Sequence, residues 1–256
     1  MRRYESLNQP GCPTGRTGRK REKKMNEFLL IASLFVIYGT VLLAYRIFGL
    51  HGLYCFTAIA TITANIEVLI MVNAFGMEQT LGNILFASTF LVTDIISEVE
   101  GKKASQKAVN IGIFTSIFFI IVSQTWMLYQ PSASDWAQPA IKTIFSNTPR
   151  LMIVSVLVYA ICQRFDVWAY HKWWALTTKH FNGDSRKALW LRNNGSTLIS
   201  QLLNTLLYTF GAFWGMYKPA TLVSIALSSY VIFIVTSLAD TPFVYLARMI
   251  HDKTDK

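Results

Sequence analysis

The sequence has few charged residues, few cysteines and none of the short motifs that mark the common enzyme classes. Charged residues make up 15% of the 256 residues, against roughly 25% in an average soluble domain. The three cysteines, Cys12, Cys55 and Cys162, lie far apart, which argues against a disulfide framework and against a metal site. The sequence contains no phosphate-binding loop, no HExxH motif and no nucleophile elbow. We therefore expect no enzymatic activity, no ATP hydrolysis and no cofactor.

Apolar residues, in contrast, are abundant and grouped in long runs. They make up 52% of the chain, and several runs reach the roughly 20 residues that an α-helix needs to cross a bilayer. These features predict an all-α fold, a polytopic membrane bundle of about seven transmembrane helices. The predicted spans are residues 26–47, 51–75, 80–100, 107–129, 150–172, 190–216 and 220–248. Residues 129–150 are predicted to form a loop with a short amphipathic stretch near 136–145.

The first 24 residues differ from the rest of the chain. They contain eight lysines or arginines, two prolines and three glycines, with no apolar periodicity. This composition predicts a disordered basic extension over residues 1–24. Residues 25–256 are predicted to form a single transmembrane domain.

The distribution of basic residues favours one orientation of the bundle. Thirteen lysines and arginines lie in the loops on one side, against Lys142, Arg150 and Lys218 on the other. The positive-inside rule then places Met25 outside, whereas the eight charges of the extension favour the reverse. We hypothesise that Met25 is the physiological start, and intact-protein mass spectrometry would contradict this if Met1 or Arg2 were the native terminus. The net charge of +10 is explained by these loops at the lipid bilayer, so no direct nucleic-acid partner is predicted.

The stretch from Thr80 to Lys103 carries polar groups inside an otherwise apolar span. On a helix of 3.6 residues per turn, Asn83, Phe90, Asp94 and Glu98 fall on one stripe. Because an ionised group in a span costs several kcal/mol unless it is paired or hydrated, carboxylates there usually mark a site or a pathway. We expect this stripe to face the interior of the bundle.

Three other spans each present a polar stripe of their own. The polar residues are Thr57, Thr61 and Asn65 in the second span, Thr197, Gln201, Asn204 and Tyr208 in the sixth, and Ser229, Thr236 and Asp240 in the seventh. Serine, threonine and amide side chains also join transmembrane helices to one another, so that interpretation stays open for each of them. After Asp240, Pro242 is expected to free a backbone carbonyl and break the helix.

Four motifs in sequence resemble a known family. TLGNILFASTFLVTDIISEVEGKKASQKA, DVWAYHKWW, RNNGSTLISQLLNT and ADTPFVYLA occur in this order, and together they resemble the bacterial queuosine precursor transporters, also known as vitamin-uptake-like transporters. The resemblance covers about Tyr54 to Ile250. It implies seven helices, an outward N-terminus and import of 7-deazaguanine bases, or of queuine, for tRNA modification. One departure is Asn204, where the family pattern has an aspartate.

The chemistry of the base suggests how such a site would work. A 7-deazaguanine presents N1–H and an exocyclic amine side by side, and one carboxylate can accept both. We expect Asp94 or Asp240 to do this, Glu98 to face a positively charged aminomethyl group, and aromatic rings to cover the flat face. The site is expected between the third, sixth and seventh spans. The candidate substrate-binding residues are Asp94, Glu98, Asn83, Phe90, Asn65, Gln201, Asn204, Asp240, Thr197, Tyr208 and Trp168.

Other functions are compatible with the same features. The chain could be a substrate-capture subunit of an ATP-driven importer, or a non-transporting membrane scaffold. An intramembrane enzyme is less well supported, because the carboxylates have no nucleophile or metal set beside them. The expected location is the cytoplasmic membrane, and the Gly211–Gly215 pair would permit a homodimer.

Overall fold

The computed structural model describes residues 16–146, 149–180 and 188–254, which form an almost entirely helical bundle. The predicted all-α class is therefore confirmed. In chain order the elements are α1 (Arg16–Glu67), β1 (Met71–Ala74), β2 (Met77–Thr80), α2 (Gly82–Val99), α3 (Lys102–Thr125), a 3₁₀ turn (Trp126–Leu128), α4 (Gln138–Ser146), α5 (Pro149–His180), α6 (Leu189–Phe213) and α7 (Pro219–Thr254).

Helix α1 contains two of the predicted spans. It is 52 residues long and bends at Gly49, where φ is 57° and ψ is −142°, a conformation that only glycine adopts readily. The two limbs run antiparallel, because the start of the first limb contacts the segment that follows the second. Asn26 Nδ2 donates to the carbonyl of Asn73 at 3.2 Å, and the backbone N–H of Phe75 donates to Glu27 at 3.0 Å. The first two predicted spans therefore exist as the limbs of one bent helix.

The predicted end of the second span is wrong. The span was expected to reach residue 75, but the helix ends at Glu67 and residues 71–80 form a two-stranded antiparallel hairpin. Phe75 and Gly76, at the tip, have positive φ angles of 52° and 75°, as in the tight turns that join two strands. A short apolar run such as VLIMV does not by itself distinguish a strand from a helix.

Five helical stretches in the described part of the chain are long and apolar enough to cross a membrane. They are Lys23–Glu67, Gly82–Val99, Lys102–Leu128, Arg150–His180 and Pro219–Lys253. The first of these holds both limbs of α1. Helix α6 is not among them, because its polar stripe and the buried Arg192 lower its apolar content. The chain is therefore a multi-pass membrane protein, and the residues that the structure describes contribute seven helical segments to the bundle.

Helix α2 lies at the centre of the bundle. Fifteen of its eighteen residues are buried, and it packs against α1, α3, α5 and α7. The other membrane-crossing helices leave most of their apolar side chains exposed for lipid, as Phe35 of α1 and Phe118 of α3 do. The predicted stripe of α2 therefore lies inside the protein.

The bundle has two distinct ends. We call the end with the β1–β2 hairpin, α4 and the last turn of α6 the hairpin end, and the opposite end, with Gly49, Gly101 and the last turn of α7, the basic end. At the hairpin end, α4 confirms the predicted amphipathic stretch, with Phe145 packed against Phe119 and Trp126.

Two further expectations differ from the structure. Of the predicted disordered extension, residues 1–15 lie outside the described residues, whereas residues 16–24 are the first turns of α1, since arginine, lysine and glutamate are good helix formers. Helix α7 continues through Pro242, and the preceding hydroxyl of Thr241 is bound by Asn193 and Asn194 of α6. The neighbouring helix thereby supports the chain at the proline.

The Gly211–Gly215 pair does not form an exposed packing face. A Cβ at Gly211 would lie 3.0 Å from Cγ1 of Val154 in α5 of the same chain. Gly215 lies beyond the end of α6 with φ of 82°. Gly211 therefore packs against α5, and a homodimer stays a prediction without support from this motif.

Replacing Gly82 with alanine should destabilise the bundle by about 1–3 kcal/mol. An added Cβ would lie 2.9 Å from the backbone nitrogen of Val68 and 3.1 Å from the carbonyl of Ala64, so backbone has to move. Thermal unfolding of the detergent-purified protein measures the effect. Gly39→Ala is the matched control, because no atom lies within 4 Å of its added Cβ. Equal melting temperatures for the two variants would contradict the tight contact between α1 and α2.

Candidate functional site

Asp94 lies near the middle of α2 and is 1% exposed. Its Oδ2 accepts a hydrogen bond from the hydroxyl of Thr197 on α6 at 2.8 Å. Its Oδ1 is buried and has no hydrogen-bond partner among the described residues. Asp94 and Thr197 were both predicted from the sequence, and the structure brings them into direct contact.

Asp166 of α5 is the closest acidic neighbour of Asp94. It is fully buried, and its Oδ1 accepts from the hydroxyl of Ser200 at 2.8 Å. Ser200 lies three residues after Thr197, the partner of Asp94, on the same helix α6, so the two carboxyl groups are neighbours. Asp166 Oδ2, like Asp94 Oδ1, receives no donor from the described part of the chain. We call Asp94 and Asp166 the carboxyl pair.

Asp240 of α7 lies in the same polar layer. It is 1% exposed, and its Oδ1 accepts from Nδ2 of Asn193 at 2.7 Å. Thr241, the next residue, accepts from Asn194 Nδ2 at 2.7 Å. Amide groups of α6 therefore hold this part of α7 in place, and neither of these hydrogen bonds involves a basic residue.

Glu98 is the centre of a buried ionic cluster at the basic end. Arg192 Nη2 donates to both carboxylate oxygens, at 2.6 Å and 2.7 Å, and its Nε donates to Oε2 at 3.0 Å. Tyr170 donates its hydroxyl to Oε2 at 2.7 Å, and Arg248 donates to Oε1. The guanidinium of Arg192 also lies 4.4 Å from the ring centroid of Trp174, within the range of a cation–π contact. Four helices, α2, α5, α6 and α7, are thus joined at one carboxylate.

The structure also contains a cavity in the half of the bundle toward the hairpin end. The space free of atoms is about 820 Å³, which includes open solvent at its mouth. Amides and hydroxyls from α1, α2 and α6 line it together with aromatic rings. Its polar residues include Asn65, Asn83, Thr89, Asn204, Thr205 and Thr209, and its aromatic residues are Phe86, Tyr159, Tyr208, Phe213 and Phe233.

Gln163 of α5 connects this cavity to the carboxyl pair. Its Nε2 donates at 2.7 Å to the hydroxyl of Thr89, which lines the cavity. Its Oε1 accepts at 3.0 Å from the hydroxyl of Thr93, the residue before Asp94. Gln163 is fully buried and precedes Asp166 by one helical turn. It therefore forms a bridge between the cavity wall and the carboxyl pair.

The predicted candidates fall into three groups in the structure. Asn65, Asn83, Asn204 and Tyr208 line the cavity. Asp94, Thr197, Gln201 and Asp240 are buried outside the cavity lining, and Phe90 packs with Val158 and Cys162. Glu98 is bound in the ionic cluster, and Trp168 lies on the surface of the bundle.

Two roles predicted for these residues disagree with the geometry. Trp168 is 48% exposed and contacts Phe165 and Lys172, because it follows the inward-facing Asp166 by two residues and so points to the opposite face of α5. Glu98 is occupied by Arg192 and Arg248 and does not face the cavity. The expected pairing of Glu98 with an aminomethyl group therefore has no support in this conformation.

Sequence reasoning also missed several residues of the site. Phe86, one turn before Phe90, is the α2 ring that reaches the cavity. The spacing of Gln163 and Asp166 is a polar i, i+3 pair within an apolar span, a signal that could have been used. Arg192 is fully buried, although its position at the start of a span resembled a surface loop. Within the described ranges, no group of three or more His, Cys, Asp or Glu side chains is arranged to hold a metal ion.

Comparisons with known proteins agree on one family. The family described as "Putative vitamin uptake transporter" matches residues 80–247. A curated relative from Bacillus subtilis (strain 168), named "Probable queuosine precursor transporter", is 37% identical over 208 residues, which cover 81% of this chain and 88% of that protein. No solved structure matches the chain. The family match includes both members of the carboxyl pair and Asp240.

Replacing Glu98 with glutamine should destabilise the protein by about 3–5 kcal/mol, because it leaves Arg192 buried without its carboxylate. Thermal unfolding of the purified protein tests this, with Glu100→Gln as the control, since Glu100 is exposed at the end of the same helix. The double variant Glu98→Leu with Arg192→Leu should recover part of the loss. A Glu98→Gln variant as stable as Glu100→Gln would show that the ionic cluster does not hold the basic end together.

Proposed function

Because the chain belongs to the vitamin uptake transporter family, we propose that it imports queuosine precursors across the cytoplasmic membrane. The proposed substrates are 7-cyano-7-deazaguanine, 7-aminomethyl-7-deazaguanine or queuine. The Bacillus subtilis relative, by its name, transports queuosine precursors. The observation that carries the proposal within this chain is the cavity lined by α1, α2, α5, α6 and α7, with its asparagines and aromatic rings.

The asparagines provide the hydrogen-bonding groups that the edge of a deazaguanine requires. Asn65 Oδ1 and Asn83 Nδ2 are both buried and have no partner within the part of the chain described. Their other amide atoms are held, since Asn65 Nδ2 donates to Thr61 at 2.7 Å and Asn83 Oδ1 accepts from Thr80 at 3.2 Å. One acceptor and one donor are thus free for a ligand. An acceptor suits N1–H and the exocyclic amine, and a donor suits O6 or N3.

The aromatic residues provide walls for a flat heterocycle. The ring centroids of Phe86 and Phe233 are 6.2 Å apart, as are those of Phe86 and Tyr159. Tyr208 lines the same space from α6. Bases are commonly held by stacking between aromatic side chains together with hydrogen bonds at their edge. We therefore propose that the base lies among these rings with its polar edge toward the asparagines.

The buried carboxylates take a different role in this proposal from the one predicted. Asp94 and Asp240 do not line the cavity, and Gln163 lies between the cavity wall and the carboxyl pair. The first contacts of the base are therefore with neutral amides. The carboxylates lie farther along toward the basic end, on the route that a transported base would take.

The positions of the cavity and of the ionic cluster are consistent with alternating access. The cavity lies toward the hairpin end, whereas Glu98, Arg192 and Arg248 close the basic end. With the lysine- and arginine-rich loops inside, the cavity would face the outside and receive a base for import. Such a conformation is one of the two that a transporter of this kind alternates between.

Replacing Asn204 with leucine should lower uptake roughly ten- to hundred-fold at limiting substrate, because a buried amide that meets the base is lost. The measurement is uptake of labelled 7-cyano-7-deazaguanine into cells that cannot make the base, with and without this chain. Asn110→Leu is the matched control, since Asn110 is exposed on α3.

Unchanged uptake by the Asn204→Leu variant would remove the cavity from the proposal. Equal uptake with and without the chain would contradict the proposed function as a whole. Copurification of an ATPase with the chain would favour a substrate-capture subunit instead of a self-contained transporter.

A further inference from the structure

In the carboxyl pair, each group has one oxygen that accepts a hydrogen bond and one oxygen without a partner among the described residues. Thr197 and Ser200 each donate one hydroxyl hydrogen bond, at 2.8 Å, to Asp94 Oδ2 and Asp166 Oδ1 respectively. The remaining oxygens, Asp94 Oδ1 and Asp166 Oδ2, are buried and receive no donor from the described residues. Their hydroxyl partners lie three residues apart on α6, so the two carboxyl groups are neighbours in the same buried layer. Neither group has a basic partner in these contacts.

The titratable groups that face the pair from α7 and α1 carry no positive charge. The group from α7 is another acid, Asp240. The group from α1 is the hydroxyl of Tyr38, which donates to the backbone carbonyl of Thr236. On the pair's own helices, the neighbouring titratable groups are the carboxyl of Glu98 on α2, and the thiol of Cys162 and the hydroxyl of Tyr170 on α5.

The basic groups nearest to this region belong to the ionic cluster. Arg192 of α6 and Arg248 of α7 both bind Glu98. Two adjacent carboxylates buried in a low-dielectric interior cannot both stay ionised at low cost, so one of them retains a proton. The pair is then stabilised by a single shared hydrogen.

We propose that Asp94 and Asp166 together bind one exchangeable proton, and that this proton is carried with the base during import. The inference rests on the proposed transport function. In the step itself an O–H bond forms on one of the two carboxyl groups with a proton taken from water on the outer side. The same bond breaks when that proton is released to water on the inner side. No other bond changes.

Gln163 gives a physical connection between the base and the proton. It is bonded to Thr89 in the cavity wall and to Thr93 beside Asp94, and it lies one turn from Asp166 on α5. A base that competes for the Thr89 hydroxyl would change the hydrogen bonds of Gln163. Such a change moves α5 relative to α2, and therefore moves Asp166 relative to Asp94. Binding of the base and binding of the proton are coupled through this bridge.

A single proton suffices to account for the pair, whereas a sodium ion would require several oxygen ligands around one point. A carboxyl pair that bonds to itself requires only one hydrogen. Sodium coupling is nevertheless a measurable outcome of the experiment below.

The test uses the purified full chain in liposomes, with labelled 7-cyano-7-deazaguanine, a neutral base. With an alkaline interior, the wild-type protein should accumulate the base by up to about tenfold for each pH unit of gradient. The Asp166→Asn variant should lose this accumulation, while exchange of labelled for unlabelled base persists, because Asp166 does not line the cavity. Asp252→Asn, at an exposed position on α7, is the control and should behave as the wild type.

The possible results distinguish failure of the proton proposal from failure of the proposed transport function. Wild-type protein that moves no base contradicts the proposed function. Wild-type protein that moves the base without response to a pH gradient, or only in a sodium gradient, overturns the proton proposal alone. An Asp166→Asn variant that still accumulates the base in a pH gradient also overturns the proton proposal.

A second measurement can be made on the wild-type protein alone. Its infrared spectrum should contain a carboxylic-acid band that disappears in alkaline buffer, and the band should also be absent from Asp94→Asn where that variant folds. Absence of that band from the wild-type protein at neutral pH would overturn the proposal.

Discussion

The structure depends on how one central helix keeps carboxylates inside an apolar bundle. Helix α2 contributes Asp94 and Glu98, on successive turns, to an environment where an uncompensated charge is costly. The two are stabilised by different means. Glu98 has two arginines and a tyrosine, whereas Asp94 has a threonine hydroxyl and a second carboxyl group. The partners come from α5, α6 and α7, so the packing of these three helices around α2 also supplies the groups that stabilise its two buried carboxyl groups.

This difference divides the bundle into two halves with different mechanical properties. At the basic end, one carboxylate joins four helices through charge-assisted hydrogen bonds, which are stronger than neutral ones. Toward the hairpin end, the helices are separated by a cavity and meet through threonines and amides. A movement that opens the basic end has to break the ionic cluster, whereas the cavity side can adjust at lower cost. The bundle therefore has a closed half and an adaptable half.

The sequence predicted the helices and the inward stripe of α2 well, because long apolar runs and a period of 3.6 residues are properties of the chain itself. It did not predict the hairpin after Glu67, since a short apolar run is compatible with strand and helix alike. Asp166 and Arg192 were not among the candidate residues for a related reason. Each sits near a predicted helix end, and only the packing of α5 and α6 against α2 shows that both are fully buried. The cavity, a property of several helices together, was only partly predicted, through Asn65, Asn83, Asn204 and Tyr208.

The amides line the cavity and the buried acids lie outside it, and this separation is favourable in energy for a neutral substrate. A neutral base entering a cavity loses its hydrogen bonds to water, and amides restore them without the larger desolvation cost of an ionised group. Asn204, at a position where the family that the sequence resembles has an aspartate, lines this cavity and fits that argument. The acids instead stand behind Gln163, where a change of charge acts on contacts between helices. In the proposed mechanism, recognition of the base and control of the conformational change therefore belong to different residues, and Gln163, bonded to Thr89 and Thr93, links them.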